Sequence, residues 1–360
     1  MLEKLNEIDF LKLNKILVAK LRHHGDVLLS SPVFSILKNR FPHLEIDAYI
    51  YRETYPMLQG HSAISDFLLY DKNWKNLPLW KRYFYEMKLL SSIRKKGYDL
   101  VINLTEGDRG AIAAKVSKAP YAIGFDPQGQ GMKGKHSCYT HLIKHTPKPR
   151  HTVEKQLDAL RCLGIFPTLE ERDLSFHIPE NAVEKIKSLV NGPFVLIHPV
   201  SRWMFKTLPI ETVIAVGRYF QERGEQVVLS ASPDPSEMKM NQEIAKALPG
   251  SIDLSGKISL KELGALIDKS RFLFTVDSVP LHIASALKKP VAAVFGPTCD
   301  QNWGPYRNDK AHIITKALSC RPCYQPGCGG SGVSDCLETL SPDGIIQRLH
   351  EIYEENEAFV

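Results

Sequence analysis

The 360-residue sequence contains no run of about 18 or more apolar residues, the length a membrane-spanning helix needs. Its longest apolar region, Phe272 to Phe295, is interrupted by Asp277, His282, Lys288 and Lys289. The opening residues Met1 to Asp9 lack the basic start and apolar stretch of a secretory leader. Neither half carries a Gly-x-Gly-x-x-Gly fingerprint, which disfavours a nicotinamide-dependent dehydrogenase. The 7 cysteines, an odd number placed mostly late in the chain, do not form the framework of a small secreted domain. Charge is near balance, with 46 Lys and Arg against 40 Asp and Glu. That surplus is too small to imply nucleic acid but suits an anionic substrate or membrane surface. A cytosolic protein, at most peripheral to a membrane, is the expectation.

What is present is globular in character: 43% hydrophobic, 24% charged, in a length that suits two domains. Lys15 to Lys20 is an apolar core between lysines and reads as a short strand buried on both faces. Gly25 permits a sharp turn out of it, and Val27 to Leu37 has helical spacing until Pro42. Further strands are expected at Ile46–Ile50 and Tyr98–Leu104, with a long helical segment before the latter. Strands alternating with helices call for a parallel sheet, and such sheets bind ligands beyond the carboxyl ends of their strands. The Gly25-Asp26 turn lies at that end, so Asp26 is the first candidate for chemistry, with helix capping as its plain alternative.

Two segments of this half have two readings each. Trp74 to Lys96 interleaves aromatics with Lys and Arg. It is either a surface helix with a solvated basic face or a helix that touches an anionic membrane. The loop Gln128 to His136 is glycine-rich and carries Lys133 and Lys135, which could fold over an acidic ligand or belong to a plain flexible loop.

After a polar stretch near Pro167–Asp173 the plan repeats, with strands at 193–198, 226–230, 272–276 and 291–295 and helices at 210–223 and 260–269. Three strand-end turns suit a nucleotide. In His198 to Lys206, Lys206 can sit on a phosphate and Ser201 can donate a hydroxyl hydrogen bond. In Asp277 to His282, Ser278 and Pro280 mark a helix start whose free N–H groups attract anions. His282 could point at a phosphate or be structural, and Asp277 is expected to orient rather than to bind the anion. The third turn, Phe295 to Thr298, reads as structural. Asp234 and Glu237 end another strand, and either could take ribose hydroxyls. Cys320, Cys323, Cys328 and Cys336 form a Cys-x2-Cys-x4-Cys-x7-Cys run in a Gly/Pro-rich loop; a structural zinc, free thiols or a disulfide would each fit it. Ser341-Pro342-Asp343 begins a final helix.

These stretches together resemble glycosyltransferase family 9, the ADP-heptose:lipopolysaccharide heptosyltransferases. The likeness lies in His24-Gly25-Asp26-Val27-Leu28-Leu29-Ser30-Ser31-Pro32, the His198–Lys206 turn, Gly264–Asp268, Val276–Ala286 and Val294–Thr298. It runs from about Lys15 to Trp303. The Arg22–Asp26 and Arg202–Lys206 details look most like the branch that adds the third, side-branch heptose. The resemblance implies an α/β, GT-B architecture: two Rossmann-like doubly wound domains facing across a cleft. Residues 1–175 would bind the acceptor, residues 176–340 the nucleotide sugar, and the helix in 341–360 would cross back to the first domain.

By the same resemblance the reaction is an inverting transfer of heptose from ADP-L-glycero-D-manno-heptose to the lipopolysaccharide inner core. Asp26 falls on the catalytic base, Lys206 on the diphosphate lysine, and Ser278, Val279 and His282 on the phosphate-binding helix start. Asp277 matches the adjoining acid and Ile258 the adenine contact. Val279 stands where relatives carry glycine, which leaves an N–H contact but could hinder close backbone approach. Arg22, His23 and His24, with Lys133 and Lys135, are candidates for the acceptor's phosphates or acidic sugars. No cofactor is needed for the chemistry. A carboxylate at a helix start is stabilised as an anion, which weakens it as a base unless it is desolvated or acts late. The alternatives are a transferase for another nucleotide sugar and a non-catalytic nucleotide-sugar-binding protein.

Overall fold

The computed structural model describes residues 8–146 and 148–357. The chain folds as two compact units, one ending at His177 and the other starting at Ile178.

The first unit is built on six parallel strands: β1 (Lys15–Lys20), β2 (Glu45–Tyr51), β3 (Asp66–Tyr70), β4 (Leu100–Asn103), β5 (Tyr121–Phe125) and β6 (His141–Ile143). Their spatial order is β3-β2-β1-β4-β5-β6. Ile16, Leu17, Val18 and Ala19 are completely buried, because helices cover both sheet faces and leave no polar side to the central strand. The helices are α1 (His24–Leu28), α2 (Ser31–Arg40), α3 (Leu79–Lys95), α4 (Asp108–Ser117) and α5 (Thr152–Cys162). The single helix expected over Val27–Leu37 is two. Pro32 has no N–H to give the Leu28 carbonyl, so α1 closes through Leu29 N–H on Gly25 O (2.9 Å) and the Ser30 hydroxyl on Val27 O (2.6 Å). A new helix then starts with Pro32 in its first turn.

The second unit repeats this plan with β7 (Phe194–His198), β8 (Gln226–Leu229), β9 (Ile252–Asp253), β10 (Phe272–Val276), β11 (Val291–Phe295) and β12 (Ala311–Thr315). All are parallel, in the order β12-β11-β10-β7-β8-β9, which is the first unit's order read from the other edge. Its main helices are α6 (Glu180–Leu189), α7 (Ile210–Glu222), α8 (Pro235–Ala247), α9 (Leu260–Lys269) and α10 (Val279–Ala286). The terminal helix Pro342–Glu357, expected to cross back to the first domain, belongs to the second unit's core. There Ile345, Leu349, Ile352 and Tyr353 pack with Phe220, Phe272 and other buried residues. Each fully buried side chain of this kind contributes about 1.5–3 kcal/mol, so the helix is an integral layer of that unit.

In each unit the chain builds outward from one strand, then returns to the other side of it: β1 then β4, and β7 then β10. The loops leaving these paired strands diverge at their carboxyl ends and leave a crevice there. Asp277 lies in such a loop, and Asp26 in the first turn of the helix that follows one.

Candidate active site

Hydrogen bonds tie the β1 and β4 ends of the first unit together and brace the β4 loop. Lys20 Nζ donates to Leu104 O (3.0 Å), Leu21 N–H to Thr105 Oγ1 (2.7 Å), and Asn103 Oδ1 accepts from Thr105 N–H (3.0 Å). Asp26, the third residue of α1, is 9% exposed. It does not cap: no side chain caps this helix, whose N-cap position is His23. Lys20 Nζ and Arg22 Nε each stand 4.0 Å from its Oδ1. The carboxylate is therefore desolvated and flanked by two cations, neither in close hydrogen-bonding contact with it.

Lys20 was not among the residues singled out from sequence, where it looked like the polar flank of a strand. Burial lowers its pKa, while the charge of Asp26 opposes that shift. Arg22 is exposed and His23 half-buried, both beside Asp26. The His24 ring instead bonds Glu53 O (2.8 Å), bracing α1 against the turn Arg52–Met57.

The Gln128–His136 loop is folded down rather than loose. Asp108 Oδ1 accepts from Met132 N–H (3.1 Å) and pairs with Lys135 Nζ (3.1 Å), and these partners lower the Asp108 pKa. Gly131 makes that approach possible, because a Cβ there would lie 2.3 Å from Asp108 Oδ1, and its φ of +82° is in the left-handed region. Lys135 also donates to Glu106 O and is buried, so its charge is spent inside the loop, whereas Lys133 is exposed. Glu106, Lys135, Phe125, Asp126, Gln128 and His145 are among the residues lining a cavity of about 220 Å³ at the ends of β4, β5 and β6.

In the second unit, Lys206 Nζ and Asp277 Oδ2 form an ion pair at 2.7 Å. The same oxygen accepts from Thr298 Oγ1 (2.6 Å). Three turns thus meet on one carboxylate, and Asp277 orients the lysine directly. Thr298 is, with Lys20, a residue that sequence reading missed, since its turn reads as structural. Ser278 is the extended N-cap of α10, with its hydroxyl donated to Val276 O (3.3 Å). Its side chain makes no cap; Pro280 has no N–H and Leu281 N–H donates to Ser278 O (3.2 Å), which leaves the Val279 N–H as the amide the first turn can offer to an anion. Ser201 is buried on the same β7 loop as Lys206, and His282 is buried one turn into α10. Neighbouring His198 shares a hydrogen bond through Nδ1 with Ser230 Oγ (2.9 Å), and burial pushes its pKa down to about 4, so it is neutral.

The other donor-site candidates lie one and two strands away, past β8 and β9. Asp234 caps α8, taking Ser236 N–H (2.9 Å) and Glu237 N–H (3.5 Å). Glu237 is buried and accepts from Ser232 N–H (2.9 Å). Their hydrogen bonds are therefore local, and they shape the loop. Ile258 is half-buried in the turn after β9, next to this loop: a Cβ on Gly256 would sit 3.4 Å from Pro233 Cα.

The cysteine-rich loop has a bracing role. Arg321 Nε donates to Gly296 O (2.6 Å), Cys323 and Tyr324 N–H both reach Pro297 O (3.1 and 2.9 Å), and Ser334 Oγ donates to Phe205 O (2.7 Å). It thereby fixes the Thr298 turn and the Lys206 turn together. Cys320 and Cys328 are exposed, Cys323 is intermediate and Cys336 buried. Among the described residues no group of three or more His, Cys, Asp or Glu is placed to hold a metal ion. Burial raises the Cys336 pKa.

Residues 86–331 match the sequence pattern of glycosyltransferase family 9 (heptosyltransferase). The chain is 33% identical over 297 residues to lipopolysaccharide heptosyltransferase 3 of Escherichia coli strain K12, covering 79% of this chain and 83% of that protein. Among solved structures, a family 9 glycosyl transferase from Veillonella parvula aligns with a TM-score of 0.78 at 23% identity, over 97% of this chain and 99% of that one. The E. coli heptosyltransferase WaaC with ADP aligns with a TM-score of 0.74 at 18% identity, over 94% and 99%. These likenesses identify the GT-B fold.

Proposed function

The chain belongs to glycosyltransferase family 9, the heptosyltransferases, and from that premise we propose that it transfers a heptose from ADP-heptose to the inner core of lipopolysaccharide. The similarity to lipopolysaccharide heptosyltransferase 3 over 79% of the chain carries this reading and favours the third, side-branch heptose as the product. An acceptor of that kind is lipid-linked, so the enzyme works at the cytoplasmic face of the inner membrane in peripheral contact with it.

The proposed chemistry follows from the two crevices. An acceptor hydroxyl attacks the anomeric carbon; a C–O bond forms to it as the bond to the diphosphate oxygen breaks, with inversion. Asp26 accepts the hydroxyl proton. Its burial removes competing water, while Lys20 and Arg22, at 4.0 Å, flank it without blocking an oxygen. The base acts late, when the hydroxyl has become acidic, which is how a carboxylate at a helix start can serve. Negative charge grows on the departing ADP. Lys206, aimed by Asp277 and Thr298, and the Val279 N–H at the start of α10 stabilise it there. Ser201 is a further donor to the diphosphate, and Ile258 lies where an adenine would pack.

A panel of ADP-, GDP-, UDP- and dTDP-sugars, assayed against core-truncated lipopolysaccharide, tests the proposal. Transfer from ADP-heptose alone is expected. Preference for a different nucleotide sugar would replace the donor, and binding without turnover of any of them would make the chain a binding protein.

A further inference from the structure

The helix α3 has two faces with opposite fates. Its inner face is spent on the first unit: Ile93 is buried, Leu89 and Leu90 pack on the core, and Glu86 accepts from Tyr70 OH (2.7 Å) and Arg82 Nε (3.2 Å). Its outer face carries Leu79, Trp80, Tyr83, Phe84 and Met87, which are 81, 69, 67, 60 and 44% exposed. At about 100° per residue these five fall in a single arc of roughly 140°, turned away from Leu89 and Ile93, with the half-buried Leu90 near one edge of the arc. Single exposed apolar residues are ordinary, but five large ones on one outward arc mark an interaction surface.

The charges beside that arc say what it meets. Lys81, Lys88 and Lys95 are exposed and recur every seventh residue, so they form one row along the edge of the apolar arc. Lys81 Nζ stands 5.2 Å from the centre of the Trp80 ring, with the cation beside the aromatic face. The one acid of the helix, Glu86, is turned inward. An aromatic arc edged by lysines and free of carboxylate matches the boundary between acyl chains and anionic headgroups. A second copy of the chain would bring the same lysine row against itself with no acid on this face to receive it, which disfavours a symmetric contact.

We propose that the outer face of α3, an aromatic arc flanked by the Lys81-Lys88-Lys95 row, docks the first unit onto an anionic phospholipid surface with the helix lying in the interface. This gives the peripheral contact of the preceding reading a specific surface, and it rests on that reading for the identity of the membrane. None of these residues lines either crevice, so docking and sugar transfer are separable.

The test is co-sedimentation of the full chain with vesicles of phosphatidylethanolamine and phosphatidylglycerol, against vesicles of phosphatidylcholine. The native chain should favour the anionic vesicles by at least about tenfold at low salt. Trp80→Ser/Phe84→Ser and Lys81→Glu/Lys88→Glu/Lys95→Glu should each lose at least about tenfold of that binding, with unchanged ADP affinity and thermal midpoint. Equal binding by native and variant chains would overturn the proposal. So would a native dimer in sedimentation velocity that Trp80→Ser/Phe84→Ser converts to monomer, since the face would then belong to a second copy. Transfer to a delipidated, water-soluble core oligosaccharide should persist in both variants. If the native chain binds vesicles as expected but transfers nothing to that acceptor, the reaction assigned above fails and the docking surface stands.

Discussion

Replacing Lys206 with methionine separates two jobs that this lysine holds. The first is electrostatic support of the leaving diphosphate. A hydrogen bond to a charged group is worth about 1.5–3 kcal/mol, which corresponds to about 10- to 150-fold in the dissociation constant for ADP. The second is neutralising Asp277, whose carboxylate would be left with only the Thr298 hydroxyl. Orphaning one member of a fully buried pair costs about 3–5 kcal/mol. Asp277 is 6% exposed but Lys206 is 16% exposed, so water reaches the pair and a loss of about 2 kcal/mol is expected. In a domain of this size that lowers the melting midpoint by about 4–8 °C. The double variant Lys206→Met/Asp277→Asn removes both charges and should recover most of the midpoint, while ADP affinity stays as low as in the single variant. Isothermal titration with ADP and a thermal melt on the three proteins read both quantities. Native-like ADP binding by Lys206→Met, within about twofold, would refute the assignment of the lysine to the diphosphate.

Two other changes probe the surroundings of that pair. His198 has a folded pKa of about 4 against an ordinary 6.5, so its contribution to stability is complete above pH 6.5 and is lost as pH falls through 4. That loss amounts to about 3 kcal/mol, and a urea-melt series should show it flattened in His198→Asn relative to the native chain. Arg321→Ala removes the 2.6 Å bond to Gly296 O and loosens the turn that carries Thr298. A fall of about 2 kcal/mol in stability and a several-fold weaker ADP titration are expected, whereas unchanged ADP binding would detach the cysteine-rich loop from the donor site.

How far the fold could be read from sequence depended on burial. Strands covered on both faces, such as Ile16–Ala19 and Val291–Phe295, are unbroken apolar runs and were legible to within a residue or two. The outer strands were not. β6 has three residues and β9 two, while β3 and β12 are partly exposed with mixed polarity, so neither length nor periodicity marks them. At the crevices, Asp26, Lys206 and Asp277 stand out because each is a charged residue shortly after the end of a buried strand. Thr298 did not, because its importance lies in a partner 21 residues away in sequence. Lys20 did not, because a lysine ending a strand looks like a solvated flank until its burial is known. Asp234 and Glu237 drew attention as acids at a strand end. Yet Asp234-Pro235-Ser236-Glu237 is also the residue pattern of a helix start, and the observed hydrogen bonds follow that pattern.

The central claim is that the buried Asp26 takes the acceptor proton. Single-turnover transfer from ADP-heptose to core-truncated lipopolysaccharide by Asp26→Asn, with ADP affinity measured alongside, addresses it most directly. The rate should fall by about 10²- to 10⁴-fold while the ADP dissociation constant stays within about twofold. Turnover near the native rate would contradict it, and would leave Asp26 as a buried counter-charge for Lys20 and Arg22.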